Sequence, residues 1–139
     1  MTPPQRFGEF HRILRSSGWL ALVWGIWDED DVFTRQLSRL VLRASNNRPG
    51  LPSREFRVSA LLENSHFHHV RQTSFTDQQQ LELPGLIGLA QSQGFIPHSG
   101  QEKQQLVTDL QNLYEQRADS SGKVSVLYCI DVYLAEPTV

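Results

Sequence analysis

The chain has 139 residues, enough for one domain with a real core and not comfortably for two. Hydrophobic residues make up 39% and charged residues 20%, an ordinary globular balance, and a net charge of -2 without a basic stripe argues against a nucleic-acid partner. A single cysteine, Cys129, excludes internal disulfides and cysteine-rich zinc sites and suits a reducing compartment. No apolar signal segment follows Met1, and the longest apolar run, residues 19–24, falls far short of the roughly 20 residues that span a bilayer. The expectation is a soluble, cytoplasmic, single-domain protein without a membrane partner.

In chain order, Pro3 and Pro4 mark a loose start. Residues 6–15 place Phe7, Phe10, Ile13 and Leu14 at helical spacing, with Arg12 and Arg15 in the last turn, where cations suit the helix dipole. Ser16-Ser17-Gly18 ends this helix in a turn. Residues 19–24, Trp-Leu-Ala-Leu-Val-Trp, contain no polar side chain, the pattern of a strand covered on both faces as in a parallel α/β sheet. Residues 30–44 form a helix whose face is Phe33, Leu37, Leu40, Val41 and Ala44, with capping and first-turn charge from Asp28 to Asp31. Residues 46–52 are a loop, with Pro49-Gly50 as its turn. Residues 53–64 hold a short helix with Phe56, Ala60 and Leu61 inward. Residues 68–75 read as a polar edge strand, with Arg71 and Gln72 in its middle. Residues 83–93 form a helix with Pro84 near its start and Gly94 past its end. Residues 99–117 form the clearest helix, with Leu106, Leu110, Leu113, Tyr114 and Arg117 on one face. Ser99 and Glu102 stand at capping-box spacing. Residues 124–134, rich in Val, Ile and Tyr, close the chain as a strand.

Several residues carry candidate chemistry. Asp28, Glu29, Asp30 and Asp31 offer carboxylates to a cation, but helix capping accounts for them. His66, His68 and His69 invite a zinc reading, with His66 and His68 on one strand face. No third ligand stands nearby in the sequence, so the expectation is no metal. Cys129 lies mid-strand among apolar neighbours and reads as an inert thiol rather than a nucleophile. Tyr128 and Tyr133 read as core. No catalytic group is identified.

The stretch Phe7-x-Glu9-x-His11-Arg12-x-Leu14-Arg15-x-x-Gly18-x-Leu20-Ala21-Leu22-Val23-Trp24 resembles the segment around the fifth strand of class I S-adenosylmethionine-dependent methyltransferases. That segment often reads E-x-x-R-V-L-R-P-G-G-x-L-A-L-V-W. Here Ser16-Ser17-Gly18 stands for the usual Pro-Gly-Gly. Trp27-Asp28-Glu29 resembles the R-D-E that opens the next helix in the subgroup acting on small carboxylic acids and related metabolites. Residues 86–96 resemble its region before the long helix, and Leu127-Tyr128-Cys129-Ile130-Asp131-Val132-Tyr133 resembles its closing strand. The likeness spans nearly the whole chain.

The resemblance implies an α/β fold equivalent to the C-terminal half of a Rossmann-like methyltransferase sheet. It would have about three strands in the order 5-7-6, the last antiparallel, with flanking helices. It implies methyl transfer from S-adenosylmethionine to a small-molecule acceptor. In that family the cofactor is held mainly by the first four strands, through a glycine-rich turn and an acidic residue on the second strand. Residues 1–139 contain no G-x-G-x-G. The chain alone is therefore expected to be inactive and without a cofactor-binding residue of its own. In the resembled family the end of the fifth strand borders the acceptor pocket, which makes Trp24, Gly25, Trp27 and Asp28 the candidate substrate-binding residues. Gly25 stands where the subgroup often has Asn. The apolar strand 19–24 would be an edge, a place for a homodimer or a separate N-terminal half to pair. The rival expectation is a non-catalytic interaction or regulatory module derived from the same half-fold.

Overall fold

The computed structural model describes residues 3–46, 54–93 and 96–139. The elements are α1 (Pro3–Ile13), β1 (Leu20–Trp27), α2 (Val32–Ala44), α3 (Arg54–Glu63), β2 (Phe67–Leu81), α4 (Leu83–Gln91), α5 (Gly100–Arg117) and β3 (Val124–Pro137). The three strands form one antiparallel sheet in the order β1-β3-β2, so the last strand of the chain is the central one. The residues gather into two compact units. One comprises Met1–Gly25, Pro52–Phe75 and Ile130–Val139, the other Ile26–Leu51 and Thr76–Cys129. Every strand gives residues to both units.

In the first unit the core is Phe7, Leu61, Phe67, Tyr133 and Ala135, with Phe10, Leu14, Leu20, Leu22, Trp24, Val58 and Val70 against it. Phe7 meets Phe10 and Phe67 edge-on, with centroids 6.3 and 6.2 Å apart. Ile13, expected on the same face, is 64% exposed. At 100° per residue it lies well outside the arc that holds Phe7, Phe10 and Leu14. Pro3 and Pro4 sit in the first turn of α1, where a missing N–H removes no helical hydrogen bond. Gly18 makes its turn by donating to Arg15 O at 2.9 Å, and a Cβ there would lie 3.1 Å from that same oxygen. Close approach, rather than a left-handed backbone, explains this glycine.

The expectation that residues 19–24 are covered on both faces is corrected. The sheet is antiparallel, β1 is its edge, and burial alternates along the strand. Leu20, Leu22 and Trp24 are half-buried; Ala21, Val23 and Gly25 are exposed, Val23 by 61%. The strand has one packed face, as antiparallel sheets permit.

In the second unit the core is built from Phe33 and Leu37 of α2, Leu86 and Ala90 of α4, Ile96 between α4 and α5, Leu106, Leu110 and Leu113 of α5, and Val124 and Val126 of β3. The apolar spacing of α2 and α5 thus identifies their packed faces correctly. Two details differ from expectation. Ser99 is the N-cap residue of α5 but its side chain makes no capping hydrogen bond. Arg117 shares the face of Leu110 and Leu113 but is exposed at its end, its Nε donating to Gln36 Oε1 of α2 at 3.2 Å. β2 runs to Leu81, well past residue 75, through a polar stretch with no periodic signal of its own. Residues 47–52 of the expected loop, Gly94 and the side chain of Phe56 lie outside the described residues.

A short polar relay ties α2 to the central strand. Asp31, the N-cap, accepts from Thr34 N–H at 3.0 Å and from the Thr34 hydroxyl at 2.7 Å. With its proton committed to Asp31, Thr34 Oγ1 accepts from the Leu127 N–H of β3 at 3.0 Å. Thr34 is fully buried, so this amide has a partner away from water. The turn between α5 and β3 is equally specific. Asp119 Oδ1 accepts from Ser121 N–H, the Ser121 hydroxyl and Lys123 N–H at 2.9, 2.6 and 3.0 Å. Gly122 sits at φ +77°, where a side chain would be strained, and its carbonyl accepts from the Tyr114 hydroxyl at 2.6 Å.

Two consequences follow from these bonds. Replacing Thr34 by Val preserves shape but leaves the Leu127 N–H unsatisfied, so urea denaturation should show a loss of about 1–3 kcal/mol, with Thr34→Ser losing clearly less. The Asp119 carboxyl is held below its ordinary value of 3.8, chiefly by the Ser121 hydroxyl and then by the Lys123 amide. A lowered folded pKa stabilises above the unfolded value and loses that contribution as pH falls through the folded one. Urea midpoints should therefore favour the native protein over Asp119→Asn from neutral pH down to about pH 4, with the difference shrinking below that.

Candidate functional site

The four residues at the carboxyl end of β1 fall into different units. Trp24 and Gly25 belong to the first unit, Trp27 and Asp28 to the second. Trp24 stacks on buried Tyr133 of β3, centroids 5.1 Å apart and planes 25° from parallel. Gly25 is exposed. Trp27 packs against the α2–α4–α5 core. Asp28 donates its N–H to Leu127 O at 2.8 Å, and its Oδ1 accepts from Asp30 N–H at 3.0 Å. That second bond is an Asx turn, which bends the chain from β1 toward α2. Glu29 and Asp31 of the acidic run are likewise used locally: Glu29 accepts from the Ser38 hydroxyl and Asp31 caps α2.

The sequence missed a second constellation, in the first unit. His68 and His69 are consecutive residues of β2, and neighbours on a strand normally point to opposite faces. Here both imidazoles reach one carboxylate. His69 Nδ1 lies 2.6 Å from Glu136 Oε2, and His68 Nε2 lies 3.9 Å from the same oxygen. The rings meet edge-on at 4.2 Å.

The cause is a slip in strand register. Thr138 N–H donates to His66 O at 2.8 Å, which sets residue 68 opposite residue 136. Farther along, the Ser74 hydroxyl donates to Asp131 Oδ1 at 2.7 Å. Between these points β2 advances six residues while β3 advances five, the count of a β-bulge. His69 marks its position with φ +52°, a left-handed conformation that costs a non-glycine residue on the order of 1 kcal/mol. The bulge turns His69 onto the side of the sheet where His68 and Glu136 already face each other.

Two more histidines stand near this strand end. His11 and His66 have ring centroids 5.6 Å apart, and His11 Nε2 lies 2.6 Å from Thr138 O. Of the five histidines in the chain, only His98 belongs to the other unit. Among the described residues, His68, His69 and Glu136 are the one group of three or more potential metal ligands, with ligand atoms within 4.8 Å of one another. Cys129 is half-buried on β3. Tyr128, also half-buried, donates its hydroxyl to Gln79 Oε1 at 2.9 Å. Among the described residues no helix is long and apolar enough to cross a membrane.

No protein-family model matches the chain, and no curated protein matches it.

Trp24 is engaged through its stacking partner, which gives a direct check. Tyr133→Ala removes a buried aromatic and should lower stability by about 3–5 kcal/mol, with tryptophan emission shifted to the red as Trp24 loses its cover.

Proposed function

We propose that this chain is the acceptor-side half of a class I methyltransferase fold. Its parent chemistry is methyl transfer from S-adenosylmethionine to a small-molecule acceptor. The observation that supports the reading is the strand order. The chain-terminal strand lies between β1 and β2 and runs antiparallel to both, as the resemblance implies for strands 5-7-6. Methyl transfer asks for little beyond holding acceptor and activated methyl group in line, so the lack of a catalytic triad is consistent with it. The glycine-rich turn of that family does not occur within residues 1–139, so the chain acts with a cofactor-binding half rather than alone. That half pairs along β1, an edge whose exposed side carries Trp19 and Val23. In its absence a second copy of the chain takes the same edge.

One observation favours the second reading, a non-catalytic interaction module. Trp24, Trp27 and Asp28 are already engaged in stacking, core packing and a turn. An interaction module would keep the edge and need no acceptor site.

A fusion separates the two. Strands one to four of a methyltransferase acting on small carboxylic acids, joined ahead of Arg6, should give a monomer that binds S-adenosylhomocysteine in calorimetric titration. The chain alone should self-associate by light scattering and bind none. A folded fusion without affinity would overturn the methyltransferase reading, and saturable binding by the chain alone would overturn the half-fold.

A further inference from the structure

We propose that His68, His69 and Glu136 form a divalent metal site of the zinc class. The donor set is two imidazoles and one carboxylate, which suits zinc and the later first-row ions and not the hard cations calcium and magnesium. The three donors already converge, with ligand atoms within 4.8 Å of one another. Donors about 2.0–2.2 Å from a tetrahedral ion stand roughly 3.3 Å apart. Glu136 Oε2 lies inside that distance from His69 Nδ1, at 2.6 Å, and outside it from His68 Nε2, at 3.9 Å.

The backbone supports this assignment independently of the side chains. A hydrogen-bonded His–Glu pair needs only one histidine across from the carboxylate, and a regular strand supplies it in His68. The bulge that holds His69 at φ +52° adds the second imidazole at a conformational cost. A site for a metal explains why both are brought to the same side. Thr138 Oγ1, 3.5 Å from His68 Nδ1, stands where a hydrogen bond would hold Nε2 toward the ion.

The side chains of His68, His69 and Glu136 are 42%, 70% and 35% exposed. The ion would therefore sit at the surface, with three protein donors and its remaining position open to water or to a donor from another molecule. That is the coordination of a reactive or bridging site rather than a closed structural one. The proposal is independent of the methyltransferase reading.

The test uses tag-free protein, zinc alone, and competition with a chromogenic chelator. The native chain should bind one zinc ion per chain. His69→Ala and Glu136→Gln should each weaken binding by about tenfold or more with unchanged far-ultraviolet circular dichroism, while His98→Ala should bind as the native chain does. In a second readout, substoichiometric Ni²⁺ should broaden the imidazole proton resonances of His68 and His69 before those of His98. Absence of stoichiometric binding overturns the proposal. So does binding that survives His69→Ala but disappears in His66→Ala, which would assign the ion to the His11–His66 pair. Binding of magnesium with equal affinity overturns it as well.

Discussion

The structure depends on β3 having two neighbours. Among the described residues it is the only strand hydrogen-bonded on both sides, and it supplies both cores: Val124 and Val126 to one, Tyr133 and Ala135 to the other. Its outer strands are held by bonds that differ in kind. Leu127 is fixed through its carbonyl to Asp28 and through its amide to buried Thr34. Asp131, buried in the other unit, accepts from Ser74 of β2. Because this strand comes last in the chain, every strand pairing spans a long stretch of sequence. Folding must close large loops before any sheet contact is gained, which makes this a topology of slow, non-local assembly.

Local periodicity made some of the fold legible and tertiary choices hid the rest. The faces of α2 and α5 could be read because apolar residues at helical spacing have only one way to be buried. The end of β2 could not. Thr76 to Gln80 carry no alternation, and that segment is a strand because β3 pairs with it. The run at residues 19–24 misled for a related reason: unbroken apolarity signals cover on both faces, yet β1 is an edge strand of an antiparallel sheet with one packed face, and Val23 stands exposed on the other. Thr34 gave no warning of its importance, since its partner Leu127 is 93 residues away.

The candidate sites divide in the same way. Trp24, Gly25, Trp27 and Asp28 are adjacent in sequence, which made them easy to nominate together, but they serve two cores, an exposed strand position and a turn. His68 and His69 were visible as donors. Glu136 was not, because it stands 67 residues from His69 and because a one-residue bulge, invisible to any pattern of polarity, decides which side of the sheet His69 faces. Register, more than composition, assembles that cluster.

The functional reading rests on the position of the last strand, and nuclear Overhauser contacts across the sheet test that position most directly. Cross-strand contacts are expected from β3 to both neighbours, near Trp24 and Tyr133 on one side and near Ser74 and Asp131 on the other, with none directly between β1 and β2. Backbone contacts pairing β1 with β2, or β3 at an edge of the sheet, would contradict it and remove the support for a methyltransferase half-fold.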